Sequence, residues 1–355
     1  MQGTPTANSI VTQQRRFKIK QKKPKRVVLV DADILVFRTS AICEVRTVDV
    51  KHNKSGRVKS FKNKTAFKDF LKEKDFVYVD SDYTITERQT LNEDLSYKFL
   101  LDNQIKSLKE TLWPDEIRFL ISGDNNFRYV LPLPSKYKAN RDILLKPLVR
   151  QECKDYLIGK HKARVIHNQE VDDAVIWMGY EELDKGHEVI IITNDKDANA
   201  YSNLHLYNYT LEKPEIIKIP ELGSLWIDDK GKVRGLGFLW YCQQLLVGDS
   251  TDNFKPVELA GIKYGEKSAY ESLKDCESEQ EALQVCISQF MQWYPKVITY
   301  TDCFGEVRKA SWKDLISIYH RCCRMKSTAD DQLVFKDFVK KYRIDLDNYL
   351  NEAKD

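Results

Sequence analysis

Acidic residues gather in four clusters along this sequence, and they are its best candidates for chemistry. Magnesium prefers oxygen ligands, and two such ions about 4 Å apart can activate a water molecule and stabilise the leaving oxygen of a phosphodiester. An acidic residue that follows a strand often caps a helix, which accounts for any one cluster but not for all four together. The candidate ligands are Asp31 with Asp124; Glu170, Asp172 and Asp173; Asp195 and Asp197; and Asp249 and Asp252.

The type of ligand indicates which metal these clusters would hold. Carboxylates with few histidines suit magnesium or manganese better than zinc. The six histidines are scattered and include no HExxH spacing. We therefore expect two Mg²⁺ ions, for which Mn²⁺ can substitute, rather than zinc or a histidine general base.

Three apolar segments place acidic residues at their ends. RVVLVDAD ends at Asp31 and Asp33, EIRFLISGD ends at Asp124, and HEVIIITNDKD ends at Asp195 and Asp197. Continuous apolar runs of this length are typical of strands buried on both faces. Helical patterns near 146–160 and 170–184 alternate with them, so the sequence predicts an α/β fold with a largely parallel central sheet flanked by helices. Ligands in such sheets lie outside the carboxyl ends of the strands, where the aspartates should meet.

The segment EVDDAVIWMGY predicts a helix whose first turn is crowded with charge. A spacing of three residues puts Glu170 and Asp173 on one helical face. Like charges at that spacing repel, so a cation between them would stabilise the helix.

A basic segment, FRYVLPLPSKYKANRD, lies between the second and third strands. It carries Arg128, Lys138 and Arg141 together with the aromatic residues Phe127 and Tyr137. Cations beside a carboxylate site would offset negative charge on a substrate and on its transition state. A solvated basic loop is the alternative interpretation.

The charge distribution separates an N-terminal tail from the rest of the chain. The formal net charge is +4, but residues 1–26 hold eight Lys or Arg and no acid, which leaves −4 for residues 27–355. The tail could contact nucleic-acid phosphates or could simply be solvated. We expect an α/β core over 27–235 with a polar, lysine-rich insertion at about 44–110, containing a hairpin and a helix near 92–111. A mainly helical region is expected over 236–355.

The remaining composition points to an intracellular protein. No run reaches the roughly 18 consecutive apolar residues of a membrane span, and no signal peptide is recognisable. Eight cysteines, two of them adjacent at Cys322 and Cys323, include no CxxC pair and are expected to be reduced thiols. The expected location is the cytoplasm, or the host cytoplasm if the protein is viral.

The order of motifs resembles the 5′ nuclease family, which includes the 5′→3′ exonuclease domain of DNA polymerase I, bacteriophage 5′ exonucleases and flap endonucleases. VDADILVFR, SGDNNFR, YKANR, EVDD, TNDKD and GDSTDN follow one another between residue 27 and about residue 270. This part is roughly two thirds of the chain. Because no polymerase segment follows, the sequence is most similar to the stand-alone bacteriophage type, with the PIN-like α/β core of that family.

The resemblance implies roles for individual residues. Asp31, Asp124, Glu170, Asp172 and Asp173 match acids around the first metal ion, and Asp195, Asp197, Asp249 and Asp252 match acids around the second. Lys138 and Arg141 are similar to the cations at the base of a helical arch that receive the scissile phosphate. Catalytic roles follow for these two and for Asp31, Asp124 and Asp173, with Arg128 as a further DNA contact.

A DNA-binding turn is implied near the end of the matching region. The family has a helix–turn–helix variant with a Gly-x-Gly turn followed by a lysine, which holds the duplex backbone and a K⁺ ion. Here Gly261 and Gly265, in VELAGIKYGEKSA, are separated by three residues rather than one, and Lys267 follows them. The start of a helix at 266–268 is retained, where backbone amides can receive phosphate.

The function implied is a two-metal exonuclease or flap endonuclease that cuts DNA from or near a 5′ end in replication or repair. Its expected partners are DNA with a 5′ end or flap, an RNA–DNA hybrid and replication proteins, without a membrane. A PIN-like ribonuclease is one alternative, separated by comparing RNA with DNA substrates. A catalytically silent DNA-binding protein is another, and it would bind DNA without cutting it.

Overall fold

The computed structural model describes residues 23–141 and 145–349, so most of the predicted basic tail, residues 1–22, lies outside the described residues. The strands are β1 (Arg26–Asp31), β2 (Glu44–His52), β3 (Val58–Phe61), β4 (Tyr83–Leu91), β5 (Glu116–Asn126), β6 (Arg164–Asn168), β7 (Glu188–Ile192), β8 (His205–Tyr207), β9 (Ile216–Lys218), β10 (Ser224–Ile227), β11 (Val233–Leu236), β12 (Ile298–Thr301) and β13 (Val307–Ala310). The α-helices are α1 (Ala32–Ile42), α2 (Lys64–Glu73), α3 (Tyr97–Leu112), α4 (Arg150–His161), α5 (Val171–Asp184), α6 (Gly237–Val247), α7 (Glu266–Leu273), α8 (Glu279–Trp293), α9 (Trp312–Cys323) and α10 (Phe335–Lys340).

The central sheet has six strands in the order β6-β5-β1-β7-β8-β9. All neighbouring pairs are parallel except β8 and β9. The predicted α/β class with a largely parallel sheet is therefore confirmed. Because β1 lies at the centre, its terminal Asp31 is placed at the carboxyl edge of the sheet with the ends of β5 and β7 beside it.

Both faces of β1 are buried, as its continuous apolar run predicts. Val28 and Val30 pack on one face against α1, α3 and α4, while Val27 and Leu29 pack on the other against α5. All four are fully buried. Successive side chains of a strand alternate between faces, so an uninterrupted apolar run is what a sheet covered by helices on both sides requires.

Residues 44–91 form a small subdomain, here called the insert. Its antiparallel sheet has the order β3-β2-β4, and α2 packs on one face through Phe67 and Leu71 against Val48 and Val50. The predicted hairpin corresponds to β2 and β3. The long strand β4 and the helix α2 were not predicted, because their alternating and amphipathic patterns are interrupted by many charged residues. Helix α3 follows at the place where the sequence predicts one.

The C-terminal region packs α6 to α10 around the largest apolar cluster. It also contains the hairpin β12–β13, so this part is less purely helical than the sequence predicts, and the hairpin β10–β11 comes just before it. All eight cysteines are free thiols, and seven of them are buried. Among the described residues, no helix combines the length and apolarity needed to cross a bilayer.

Candidate active site

A cleft of about 1000 Å³ opens at the carboxyl edge of the sheet. Its walls come from the end of β1, the start of α5, the turn after β7, the turn after α6 and the basic segment after β5. Eight carboxylates and four cations line it, which is an excess of four negative charges when all are ionised. The acidic lining residues are Asp31, Asp33, Glu170, Asp172, Asp195, Asp197, Asp249 and Asp252, and the basic ones are Arg38, Lys138, Arg141 and Lys196.

Asp31 and Asp33 stand at the junction of β1 and α1. Asp31 is the N-cap of α1, and one of its carboxylate oxygens accepts a hydrogen bond from the Asp33 amide at 3.0 Å. Asp33 accepts from the amide of Ser122 at 3.1 Å, which ties it to β5. The Lys154 ammonium lies 3.5 Å from the other oxygen of Asp33. The strand-to-helix turn thus presents two carboxylates to the cleft.

The start of α5 contributes Glu170 and Asp172. Glu170 is the N-cap, and its carboxylate forms an ion pair with the Lys138 ammonium. Asp172 carries a buried oxygen, Oδ1, that has no hydrogen-bond partner in the described structure. A buried carboxylate oxygen without a donor is costly unless a cation or a proton joins it. A cation bound in the cleft would therefore stabilise the ionised Asp172 carboxylate.

The turn after β7 contributes Asp195 and Asp197. Asp195 caps a short 3-10 helix over 196–200 by accepting from the Asp197 amide at 2.8 Å. Asp197 accepts a hydrogen bond from the side-chain amide of Gln244 on α6. Lys196, between them, lies 3.0 Å from Asp249 in the turn after α6. This contact joins the acids of the sheet edge to those of the C-terminal region.

The basic segment meets the same acids from the opposite side. Arg141 donates to Asp252 at 2.6 Å, and the Tyr137 hydroxyl donates to the other Asp252 oxygen at 2.5 Å. The Lys138 ammonium lies 3.6 Å from Asp252, in addition to its pair with Glu170. About half of the Arg141 side chain is exposed. Lys138 and Arg141 are thus brought into the cleft, where their positive charges face carboxylates.

Burial, and after it the neighbouring carboxylates, raises the pKa values of Asp31 and Asp172. Burial, together with the neighbouring Asp33 and Asp195 carboxylates, holds the pKa of Asp31 well above its usual range. Burial and the charges of Asp195 and Asp31 do the same to the pKa of Asp172. By contrast, although burial acts to raise it, the pKa of Glu170 is lowered because Arg128 and Lys138 stabilise its ionised form. The cleft therefore holds more negative charge than its own cations balance.

The donor set suits a hard divalent cation. Every acidic ligand candidate in the cleft is a carboxylate, the lining includes no histidine or cysteine, and the unpartnered Asp172 oxygen lies among them. Within residues 23–141 and 145–349, no three such side chains already converge closely enough to hold an ion. Magnesium usually keeps several waters and needs only one or two direct carboxylates, so a closed cage is not required. The residues present fit magnesium, with some rearrangement of the ion pairs.

Six of the predicted site residues do not line the cleft: Asp124, Asp173, Arg128, Gly261, Gly265 and Lys267. Asp124 lies in an irregular part of β5, between Ser122 and Asn126, where the pairing with β6 shifts register. It is exposed, and its amide donates to His167. In its place Ser122 lines the cleft. The irregularity turns the chain towards β6 after β5 leaves β1, which carries Asp124 away from Asp31.

Asp173 and Arg128 form a buried ion pair behind the cleft. Two guanidinium nitrogens of Arg128 donate to the two Asp173 oxygens at 2.6 and 2.9 Å. Arg128 also donates to the carbonyl oxygens of Cys322 and Arg324. Arg128 is 2% exposed and Asp173 is fully buried, so neither side chain reaches the surface of the cleft. Asp173 points away from Asp172 because consecutive helical residues are about 100° apart.

The implied DNA-binding turn lies between α6 and α7. Gly261 has a positive φ of 65°, a conformation that glycine adopts readily, and no atom lies near the position of a Cβ there. Gly265 is the N-cap of α7, and Lys267 is exposed in its first turn. An amide of the Gln243 side chain donates to the carbonyl oxygen of Glu266 and fixes α7 against α6. These residues lie outside the cleft, on a separate surface.

The cleft also contains residues that the site prediction omitted. Asp33 stands two positions after Asp31 in the DAD sequence, so the signal was present but was assigned to the strand end alone. Lys196 lies inside the TNDKD motif and pairs with Asp249. Ser122, whose amide holds Asp33, has no sequence signal, because its position depends on the irregularity in β5.

No protein-family model matches this chain, and no curated protein sequence matches it significantly. Several solved structures are similar. They include a bacteriophage T5 protein co-crystallised with metal ions, at 15% identity over 75% of this chain and 79% of that chain with a TM-score of 0.43. The T5 5′-exonuclease with bound zinc ions gives 15% identity, 74% and 89% coverage and a TM-score of 0.40. A T5 flap endonuclease in complex with DNA and metal ions is 14% identical over 75% of this chain and 93% of that chain, with a TM-score of 0.39.

Proposed function

We propose that this protein is a divalent-metal-dependent nuclease that hydrolyses phosphodiesters of DNA at or near a 5′ end. The observation that carries the proposal is the cleft itself, where crowded carboxylates and the pair Lys138 and Arg141 meet at the carboxyl edge of a parallel sheet. Neither group alone would suffice, since isolated acids cap helices and isolated cations are solvated. Their meeting at one edge, together with the ordered motifs of the 5′ nuclease family, favours a phosphodiester substrate.

The charge balance supports two divalent ions. The lining residues carry an excess of four negative charges, which two ions of charge +2 would neutralise. Asp31, Asp172 and Asp195, whose charges perturb one another, would hold one ion, with Asp33 beside them. Asp197, Asp249 and Asp252 would hold the other. Magnesium held by these residues would supply Lewis-acid chemistry, lowering the pKa of a water molecule and stabilising negative charge on the leaving oxygen.

The protein's own residues would position the substrate. Lys138 and Arg141 are paired with Glu170 and Asp252, both of which border the proposed ion sites. Once divalent charge compensates these carboxylates, the two cations can turn to a phosphate oxygen. Preorganised cations at a developing charge are worth far more inside a partly closed cleft than in water. The Tyr137 hydroxyl holds Asp252 in place while this exchange occurs.

The proposal is tested by cleavage of a labelled duplex with a 5′ flap, alongside a blunt duplex and matched RNA. Each substrate is incubated with magnesium, with manganese and with a chelator. We expect metal-dependent products released from the 5′ side, whose lengths separate exonuclease from flap cutting. Asp195→Asn should abolish cleavage while DNA binding persists. Binding without cleavage under either metal would refute the enzyme, and preferential cleavage of RNA would favour the PIN-like ribonuclease.

A further inference from the structure

The insert carries an exposed concentration of positive charge that the cleft does not use. Residues 51–74 contain nine Lys or Arg and two acids. All nine basic side chains are exposed. Among the described residues, only Lys64 of these nine has a carboxylate within 4 Å, the side chain of Glu87 at 3.4 Å.

Part of this charge lies along one edge of the insert sheet. β3 is an edge strand, and Lys51 on β2 pairs with Val58 at the far end of β3. Lys62 follows the near end of β3 and lines a groove of about 390 Å³ with Arg46, Arg88 and Leu145. At about 3.3 Å per residue, Val58 and Lys62 are roughly 13 Å apart, so Lys51 and Lys62 can contact different phosphates.

The insert is hydrogen-bonded to residues 145–148, the stretch that leads into α4. Arg46 donates to the carbonyl oxygen of Leu145 at 3.1 Å, and Gln89 donates to that of Lys146 at 3.0 Å. Glu44 accepts from the amide of Leu148 at 2.9 Å. Immediately before β2, Ala41 and Ile42 line the cleft. A chain that leaves the cleft on this side meets the insert next.

Apolar side chains accompany the lysines. Phe76 and Val77, just after α2 and next to Lys72 and Lys74, are 63% and 83% exposed. Val58 on β3 is 59% exposed. Proteins that hold single strands combine a basic track with apolar or aromatic groups on which unstacked bases can rest. A duplex keeps its base faces stacked inside and would leave these side chains without a partner.

We propose that the insert binds the single-stranded 5′ arm of the DNA substrate as it leaves the cleft, through phosphate contacts along Lys51 and Lys62. The inference rests on the proposed function, because it takes DNA as the substrate. It adds a second contact surface, separate from the cleft and from the turn between α6 and α7. Its effect is greatest for substrates with a free arm and absent for a blunt duplex.

The test measures binding of the full-length protein to two labelled DNAs in chelator, so that no cleavage occurs. One is a duplex with a 5′ arm of about ten nucleotides, within the usual footprint of single-strand sites, and the other is the same duplex without the arm. The variant is Lys51→Gln with Lys62→Gln. The matched control is Lys106→Gln with Lys109→Gln on α3. The last residue of that helix, Leu112, accepts a hydrogen bond through its carbonyl oxygen from Arg26 at the start of β1, which is the edge of the central sheet opposite the cleft.

Each single-strand phosphate contact contributes about 0.7 to the slope of log affinity against log salt, so the double variant should lower the slope by about 1.4 for the armed duplex. We expect at least about tenfold weaker binding of that DNA at 0.1 M salt, and wild-type binding of the blunt duplex. The control should match wild type on both. Lys51→Glu with Lys62→Glu should enlarge the loss.

Three results would overturn the inference: no change for the armed duplex, an equal loss for the blunt duplex, or an equal loss in the control variant. Circular dichroism verifies that each variant is folded. If the double glutamate variant does not fold, the test relies on the double glutamine variant. Because this test measures DNA binding and not cleavage, a failure of the inference can be distinguished from a failure of the proposed nuclease function. A protein that binds the arm through Lys51 and Lys62 but cuts nothing in magnesium would refute the nuclease and retain the insert as a DNA contact.

Discussion

Replacing Asp173 with asparagine should reveal a structural role rather than a metal-binding one. The substitution keeps the shape of the side chain and removes the carboxylate that accepts two hydrogen bonds from the buried end of Arg128, at 2.6 and 2.9 Å. Asp173 also accepts from the amides of Glu170 and Lys326. The buried guanidinium that is left keeps the more distant Glu170 carboxylate, at 3.4 Å, as its counter-ion.

The magnitude follows from the burial of both partners. Breaking a buried ion pair by removing one partner typically costs about 3–5 kcal/mol. Arg128 keeps its hydrogen bonds to two carbonyl oxygens, and asparagine still offers one acceptor, so we expect the lower end, about 3 kcal/mol. A double variant, Arg128→Met with Asp173→Asn, should lose less than the two single losses added together, because the buried guanidinium charge is gone.

The assay is urea unfolding in chelator and then in magnesium. A ligand that binds only the folded state raises the free energy of unfolding with its concentration. Asp173→Asn should lower the free energy of unfolding in chelator, here called the baseline, but should keep the increase in that free energy which magnesium causes, here called the increment. Asp172→Asn should leave the baseline unchanged or higher, since it removes a carboxylate oxygen without a partner, and should lose most of the increment. An Asp173→Asn protein as stable as wild type, or one that no longer responds to magnesium, would refute this reasoning.

Three further predictions follow from the cleft. Lys138→Ala should reduce cleavage by about 10²–10³-fold, the usual effect of removing one preorganised donor, with folding intact by circular dichroism; activity within a few fold of wild type would exclude Lys138 from the reaction. Asp124→Asn should cleave like wild type, whereas Asp33→Asn should weaken Mn²⁺ binding in a titration followed by electron paramagnetic resonance; the opposite ranking would show that β5 delivers Asp124 in solution. In chelator, Asp31, Asp172 and Asp197 should add stability as the pH is lowered, because their folded-state pKa values are raised above those of the unfolded chain and folding takes up protons through them; His320, whose pKa is lowered by burial, opposes this at acidic pH. Asp172→Asn should remove its share of this gain in a pH series of urea unfolding, and a variant profile parallel to that of wild type would contradict the raised pKa of Asp172.

The parts of the fold that follow from local pattern were predictable. β1 and β7 are continuous apolar runs whose burial requires helices on both faces, and their terminal acids reach one edge by the geometry of parallel strands. Asp124 shows the limit of that reasoning. Its strand does end at the same edge, but an irregularity beside Gly123, where a Cβ would lie 2.6 Å from the His167 ring, redirects the chain. That constraint arises from a residue on β6, which no pattern within β5 can show.

The acids of α5 illustrate a second limit. The spacing of Glu170 and Asp173 predicts that they share a helical face and that a cation between them would be stabilising. Arg128 lies between them, 3.4 Å from Glu170. The cation is a side chain from the segment after β5 rather than a metal ion, and it withdraws Asp173 into the interior. Which charges a helix turns outward depends on the partner it meets across the fold. Periodicity gives the relative directions of the side chains, but it does not show which direction is buried.

The cations of the cleft connect its electrostatics to its proposed chemistry. Lys138, Arg141 and Lys196 each pair with an acid that would border a metal ion, so together they partly compensate the carboxylates in the absence of divalent charge. When divalent ions supply that compensation, Lys138 and Arg141 become available for phosphate at the edge where the substrate would enter. Metal binding and phosphate binding should therefore favour each other. Metal ions compensate the carboxylates and free the two cations, and a phosphate then compensates those cations.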